Sequence, residues 1–236
     1  MNPLHLLTLL PLTTALALTL PSPISIASNE NPTINQNITS RSPQVQPHIQ
    51  MYLGTRKANM GGMDFNVIYN NIYTAIQRAC PSSSPSSSCP DPAFSSFKVQ
   101  THKAAGEKPI ETDAVLHIVG GKWHGSTAIY YLMVGAIAGA IERGTYTEKN
   151  CETFQTEKNV NRSSTYCNTM DSAKVELPGD KGYYLEVRME TVAGMGEFDC
   201  SAISSTVESY LDSLKPEVEQ ELKMTELYVE AKCLYG

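Results

Sequence analysis

Six cysteines constrain the fold of this 236-residue chain more than any other feature. All of them follow an apolar N-terminal segment, which bears on whether they form disulfides. Residues 1–20 contain no Asp, Glu, Lys or Arg, and Ser25-Ile-Ala27 places small residues at the −3 and −1 positions of a cleavage site. This layout is typical of a secretory signal peptide. We therefore expect residues 1–27 to be removed and the remaining chain to fold in an oxidising, extracellular environment.

An even number of cysteines in a secreted chain predicts up to three disulfides. Sequence proximity favours only the pair Cys80 with Cys89, and the pairing of the others stays open. No C-x-x-C motif is present, so the spacing predicts no metal site at these cysteines. The six residues are Cys80, Cys89, Cys151, Cys167, Cys200 and Cys233.

The charge of the chain limits the classes of partner. It carries 18 Lys and Arg against 24 Asp and Glu, a formal net charge of −6. Non-specific binding of DNA, RNA or anionic lipid needs a basic surface, so we expect no nucleic-acid partner. The hydrophobic fraction of 41% indicates a globular protein with a real core.

Composition divides the chain after the signal peptide into two parts. Residues 28–50 are rich in Asn, Ser, Pro and Gln, which predicts a flexible polar arm or propeptide. Residues 51–236 are expected to form a single secreted domain. Asn37 and Asn161 each begin an Asn-X-Ser/Thr glycosylation sequence, which predicts a glycoprotein with these residues at the surface.

The hydrophobic pattern predicts a strand, a helix, two strands, a helix, a hairpin, a helix and a last strand. This order favours an α+β fold, in which about three helices pack on one face of an antiparallel sheet in a disulfide-stabilised α/β sandwich. The predicted helices are 64–79, 126–142 and 201–214, continued through Leu222, and the predicted strands are 49–53, 94–101, 114–119, 174–177, 184–189 and 225–234. A tight turn is expected at 120–125 and a loop between Cys151 and Cys167.

The second predicted helix is apolar on every side between Ala128 and Ile141. Gly135 and Gly139 form a G-x-x-x-G step, which lets another backbone approach closely in a membrane or in a soluble core. The apolar run is short for a membrane span, which favours a buried central helix. A helix that leaves the fold and enters a bilayer is the alternative.

Two segments carry residues of the types used in active sites. The turn from Gly120 to Ser126 resembles a P-loop, but Ser126 occupies the position of the phosphate-binding Lys, so no nucleotide cofactor is predicted. The glycines favour a tight turn, and the start of the following helix is a candidate anion or ligand position. His117 and His124 bracket this turn, with Asp113 nearby, but their spacing matches no metal-ligand pattern.

Glu186, Arg188 and Glu190 alternate along a predicted strand and therefore share one face. Carboxylates, an Arg and a His on a sheet are able to cleave RNA by general acid–base chemistry, although a solvated face with paired charges is the more common arrangement. No complete hydrolase motif is present. The sequence therefore predicts no catalytic residue, no metal and no cofactor.

The apolar leader, the polar arm 28–50, the six cysteines and the α+β order resemble small secreted proteins of fungi, in particular effector and killer-toxin-like proteins. The apolar helix 128–141 adds similarity to the smut-fungus viral killer toxins and to the salt-mediated yeast killer toxin. That resemblance implies an α/β sandwich with hydrophobic helices on an antiparallel sheet. The strong dibasic processing sites of such toxins are missing here, and the resemblance transfers no functional residue.

Together these observations predict a secreted, disulfide-rich effector or killer-toxin-like protein that acts outside the producing cell without enzymatic activity. Its expected partner is a host or competitor protein, or a membrane. Two alternatives stay open. One is a secreted hydrolase such as a ribonuclease using Glu186, Arg188 and a histidine, and the other is an extracellular module that binds a ligand or glycan at residues 120–126.

Overall fold

The computed structural model describes residues 47–84, 86–102, 107–155 and 163–234. The predicted signal peptide 1–27, residues 28–46 of the arm, Asn37 and Asn161 lie outside the described residues. The first strand begins at His48, earlier than the expected arm boundary at Gln50. Ile49 is 1% exposed, because it alternates into the core with Met51, and residues 48–50 therefore belong to the sheet.

The described chain forms nine strands and four α-helices in mixed order. In chain order they are β1 (His48–Leu53), β2 (Lys57–Gly61), α1 (Phe65–Ala79), β3 (Ala93–Thr101), β4 (Ile110–Lys122), α2 (Thr127–Thr145), β5 (Cys151–Gln155), β6 (Ser163–Met170), β7 (Ser172–Leu177), β8 (Tyr183–Glu190), α3 (Ser204–Ser213), α4 (Lys215–Leu222) and β9 (Tyr228–Cys233). Short 3-10 turns lie at Glu148–Asn150 and Cys200–Ala202.

The α+β fold class is confirmed. A six-stranded sheet has the order β3-β4-β8-β7-β1-β9, and a three-stranded sheet has the order β2-β6-β5. Neighbouring strands pair antiparallel except β1 and β9, which pair in parallel, so the main sheet is mixed. The core lies between one face of the main sheet and the helices, since buried residues of β1, β4, β7 and β8 join those of α1, α2 and α3 in one cluster.

The prediction of a loop between Cys151 and Cys167 is wrong, because β5 and β6 form a hairpin there. The strand β2, which completes this small sheet, is also absent from the prediction. In β5, Phe154 is the buried residue among exposed and half-buried neighbours. A strand with so little apolar alternation gives no period-two signal.

The prediction of a tight turn at 120–125 is wrong in its first half. The strand β4 continues through Lys122, with a bulge between Ile118 and Gly120 that adds one residue opposite β8. Gly120 and Gly121 let neighbouring side chains approach the backbone of β4 closely. A Cβ on Gly120 would lie 3.0 Å from Oη of Tyr184, and a Cβ on Gly121 would lie 2.8 Å from Sγ of Cys89. The turn itself begins at Trp123.

The helix α2 starts as predicted, since Oγ of Ser126 accepts a hydrogen bond from the backbone N–H of Ile129 at 3.2 Å. It continues to Thr145, three residues past its predicted end at residue 142. Gly144 lies within the helix. A Cβ at this position would lie 2.6 Å from the terminal methyl of Met170 and 2.9 Å from Ile203, so a larger residue would not fit. This glycine therefore allows close packing rather than ending the helix.

The structure places Gly135 and Gly139 of α2 in the core, against α3. The hydroxyl of Tyr210 donates a hydrogen bond to the carbonyl oxygen of Gly135 at 2.8 Å, and its ring fills the space beside Gly139. Gly135 and Gly139 thus allow the ring of Tyr210 on α3 to contact the backbone of α2. Among the described residues, no helix is both long enough and apolar enough to cross a membrane.

Three disulfides connect the six cysteines, in agreement with the predicted number. Cys80 pairs with Cys89, the pair that proximity favoured. Cys151 pairs with Cys167 directly across the β5–β6 hairpin. Cys200 pairs with Cys233 and so connects the segment before α3 to the end of β9.

Glu142 makes the stability of the helical layer depend on pH. Its side chain is 10% exposed, and burial raises its pKa above the ordinary value of 4.5, opposed by Arg143, whose Nε lies 3.9 Å from the carboxylate. The negative charge of this carboxylate contributes in turn to the raised pKa values of Tyr69 on α1 and Tyr210 on α3. The folded state therefore binds this proton more tightly than the unfolded state, so stability is lost as the pH rises through the raised pKa.

We expect Glu142→Gln to raise the free energy of unfolding near neutral pH and to have little electrostatic effect at about pH 3.5, where the carboxyl is protonated in both states. Urea denaturation at both pH values checks this, with the exposed Glu148→Gln as the control. Equal effects of Glu142→Gln at the two pH values would contradict the assignment.

Candidate functional site

The face of the main sheet that points away from the helices is the candidate functional surface, and we call it the open face. Along each strand its residues alternate with the buried residues that contact the helices. Its residues, in strand order across the sheet, are Phe94, Ser96 and Lys98; Asp113, Val115, His117, Gly120 and Lys122; Tyr184, Glu186, Arg188 and Glu190; Ser172, Lys174 and Glu176; His48, Gln50 and Tyr52; and Tyr228, Glu230 and Lys232.

Aromatic rings lie exposed at both edges of the open face. Phe94 on β3 is 61% exposed and Tyr228 on β9 is 47% exposed. The described helices pack on the other face of the sheet. Large exposed rings on a sheet that no described helix covers are typical of a surface that contacts a ligand or a partner.

One group on this face joins the predicted carboxylates and Arg to a histidine, and we call it the His117 cluster. It comprises His117, Glu186, Arg188 and Glu190. His117 lies directly opposite Arg188 in the β4–β8 ladder, and its Nε2 is 3.5 Å from Oε2 of Glu190. The ring of Phe94 on β3 is 6.1 Å from the ring of His117.

Arg188 is the centre of the His117 cluster. Glu186 and Glu190 lie two residues to either side of it on β8, a spacing of about 7 Å along a strand. Within the described part of the chain, its guanidinium forms no ion pair. The cluster therefore offers a cation beside a His–Glu pair, which suits an anionic group such as a phosphate.

The other residues singled out near the β4–α2 turn do not join this cluster. The ring of His124 hydrogen-bonds the carbonyl oxygen of Lys181, on the loop between β7 and β8. Asp113 forms an ion pair with Lys98 at 3.1 Å. Across the described ranges, no group of three or more His, Cys, Asp or Glu side chains is arranged to hold a metal ion.

The N-terminus of α2 already faces a carboxylate of the chain itself. Oγ of Ser126 donates a hydrogen bond to Oε1 of Glu221 on α4 at 2.9 Å. A negative charge at this position complements the helix dipole. An external anion at the Gly120–Ser126 segment would have to displace Glu221.

A second group on the open face surrounds Lys174, and we call it the tyrosine trough. Nζ of Lys174 on β7 lies 5.7 Å from the ring centroid of Tyr52 on β1 and 5.6 Å from that of Tyr184 on β8. The same Nζ lies 2.6 Å from Oε1 of Glu176, and this hydrogen bond is the main cause of the raised pKa of Lys174. The ion pair holds the ammonium group between the two rings.

The tyrosine trough was not predicted from the sequence, because its residues come from strands that are distant in sequence. Tyr184 shares the parity of Glu186 on β8, which was a usable signal. Tyr52 reaches Lys174 only because β1 pairs with β7 across a long stretch of chain. That register does not follow from local patterns.

No protein-family model, no curated protein and no solved structure matches this chain.

Proposed function

We propose that this chain is a secreted, disulfide-stabilised effector or toxin-like protein that acts outside the producing cell by binding its target through the open face, without turnover. The observation that supports it most is the exposure of this face across six strands, with Phe94 and Tyr228 exposed at its edges. The three disulfides are compatible with an extracellular site of action. The partner belongs to a host or competitor cell.

The composition of the open face supports binding. Aromatic residues and Arg are enriched at interfaces because they bury large areas and still form polar contacts. Here Tyr52, Tyr184 and Arg188 occupy interior strands of the sheet, where a partner would exclude water. The net charge of −6 argues against nucleic acid or anionic lipid as the general partner.

The test is binding of the labelled, oxidised mature protein to intact plant and fungal cells. The double variant Phe94→Ser/Tyr228→Ser removes the exposed rings from the open face, and Tyr131→Ser removes a ring that is 40% exposed on α2 as the matched control. We expect the open-face variant to lose binding and the control to keep it. Equal binding by both variants would overturn the proposal, and multiple-turnover hydrolysis by the wild type would overturn its non-enzymatic part.

The His117 cluster favours a second candidate, a secreted ribonuclease. Glu186 would take the proton from a ribose 2′-OH, whose oxygen attacks phosphorus, and His117 would protonate the departing 5′-oxygen. The products are a 2′,3′-cyclic phosphate and a free 5′-OH, so atoms and charges balance without a metal. Arg188 would stabilise the charge on the phosphoryl oxygens, and Glu190 would hold the imidazolium through its 3.5 Å contact.

An RNA-cleavage assay on the pure protein tests this candidate. We expect His117→Ala and Glu186→Gln each to reduce cleavage by roughly a hundredfold or more, as removal of a general acid or base does. His124→Ala, which removes a histidine outside the cluster, should leave the rate unchanged. No cleavage by the wild type, or equal rates in the cluster variants, would exclude the ribonuclease.

A further inference from the structure

The side chains of the tyrosine trough are held in place by contacts with one another. Lys174 lies opposite Tyr52 and Glu176 lies opposite Tyr184 in neighbouring ladders, so the two rings stand on either side of one ion pair. The hydroxyl of Tyr52 donates a hydrogen bond to Oε1 of Gln50 at 2.7 Å. These contacts fix the rings before any ligand arrives, which lowers the entropic cost of binding.

Gly120 makes room for one of the rings. A Cβ at this position would lie 3.0 Å from Oη and 3.1 Å from Cε2 of Tyr184, so the ring rests against the backbone of β4. A larger residue at position 120 would push Tyr184 away from the trough. The glycine that the sequence assigned to a turn therefore supports the aromatic surface.

A depression of about 280 Å³ lies on this part of the face, lined by Tyr52, Ser172, Ala173, Lys174, Glu176, Glu186 and Leu234. Its lining combines aromatic and aliphatic surface with hydroxyl and carboxylate oxygens. The ring of Tyr184 lies on the other side of Lys174 and lines a neighbouring depression, which shares Glu176 with the first. A pocket that is largely apolar with a few converging polar groups is the usual form of a small-ligand site.

The charges of the lining select the chemistry of the ligand. One cation, Lys174, faces two carboxylates, Glu176 and Glu186, and its ammonium group is already paired at 2.6 Å. Because Glu176 already pairs with Lys174, phosphates, sulfates and uronic acids find no unpaired cation in this lining, in contrast to Arg188 in the His117 cluster, and they meet the carboxylate of Glu186. A neutral molecule whose hydroxyl groups donate to carboxylates meets no such barrier, because charge-assisted hydrogen bonds are strong.

We propose that the tyrosine trough binds a neutral oligosaccharide of β-linked pyranose units, presented on the surface of a target cell. The C–H faces of such sugar rings are flat and apolar and pack against aromatic rings, while their equatorial hydroxyls reach carboxylates at the side. Tyr52 and Tyr184 supply the rings, and Glu176 and Glu186 accept from the hydroxyls. This inference rests on the proposed function, for which it names the ligand class.

Isothermal titration of the oxidised mature protein with cellohexaose, chitohexaose and the acidic tetragalacturonate tests the proposal. We expect at least one of the two neutral probes to bind and the acidic probe to bind roughly tenfold more weakly or not at all, since Glu176 and Glu186 repel it. No binding of either neutral probe, or equal binding of the acidic one, would overturn the proposal.

Substitutions locate the site. Tyr52→Ala and Tyr184→Ala should each weaken binding by roughly tenfold or more, as loss of an aromatic anchor does, whereas Tyr52→Phe and Tyr184→Phe keep the ring and should keep binding. Tyr131→Ala, which removes a ring that is 40% exposed on α2, away from the open face, is the matched control. Unchanged binding in both trough variants, with circular dichroism that shows folded protein, would contradict the assignment.

The same variants separate this inference from the proposed function. If the open-face variant Phe94→Ser/Tyr228→Ser loses cell binding while no neutral oligosaccharide binds the wild type, the ligand class is wrong and the proposed function stands. If the open-face variant still binds cells and the trough variants lose sugar binding, the trough is a glycan site that does not account for cell attachment.

Discussion

Gly139→Leu is expected to lower the free energy of unfolding by about 3 kcal/mol or more, at or above the upper end of the usual cost of forcing extra methylenes into a packed core. The reason is the ring of Tyr210, which already occupies the space that the first carbon of any side chain at position 139 would need. The hydroxyl of Tyr210 also donates to the carbonyl oxygen of Gly135, so the ring cannot withdraw without losing that hydrogen bond.

Gly135→Ala is the matched control on the same helix. A Cβ at position 135 would lie 3.4 Å from Oη of Tyr69, an ordinary contact distance. Because Ala favours the helix over Gly by roughly 1 kcal/mol, this variant should be neutral or more stable than the wild type. Urea denaturation monitored by circular dichroism measures both variants.

A double-mutant cycle identifies the cause of the loss. In the Tyr210→Ala background the space beside Gly139 is empty, so Gly139→Leu should cost much less there than in the wild type. An equal cost in both backgrounds would show that the overlap with Tyr210 is not the source. In that case the contact between α2 and α3 would need another explanation.

The helical layer was the part of the fold most accessible from sequence. α1 repeats apolar residues at helical spacing after Asp64, and α2 is a long apolar run that follows Ser126, so local rules suffice to place both helices. The small sheet could not be predicted from the sequence, because β5 and β6 carry polar residues at most positions. These strands are held instead by their pairing and by the Cys151–Cys167 disulfide.

Only part of the open face could be predicted from the sequence, because pairing between distant strands decides the rest. Glu186, Arg188 and Glu190 lie on one strand, and their common face follows from the period of two. The contacts of Arg188 and Glu190 with His117, and that of Tyr52 with Lys174, depend on the register between strands far apart in sequence. A shift of one residue would have moved either partner to the other face.

Removal of the Cys200–Cys233 disulfide is the second large effect that we expect. The two cysteines are 33 residues apart, and in the chain-entropy model a loop of this length contributes roughly 3–4 kcal/mol to the free energy of unfolding. The bond connects the 3-10 turn before α3 to β9, an edge strand whose neighbour in the sheet is β1. Its loss should therefore weaken this edge before the rest of the fold.

Apart from the disulfide, β9 is held by its parallel ladder with β1, by the buried side chain of Ala231 and by side-chain hydrogen bonds from the helices. The backbone N–H of Ala231 on β9 donates to Oε1 of Glu208 on α3 at 3.0 Å, and the N–H of Leu227 donates to Oε1 of Glu219 on α4 at 3.0 Å. Side-chain hydrogen bonds of this kind contribute about 1 kcal/mol each. They cannot replace the covalent link.

We expect Cys200→Ala/Cys233→Ala to lower the free energy of unfolding by roughly 3–4 kcal/mol, and Cys80→Ala/Cys89→Ala to lose roughly 1 kcal/mol less through chain entropy, because only 9 residues separate Cys80 from Cys89. Urea denaturation gives both values, and hydrogen exchange at Ala231 reports the edge directly. A loss below about 1 kcal/mol for the first pair, with exchange at Ala231 unchanged, would show that α3 holds β9 without the disulfide.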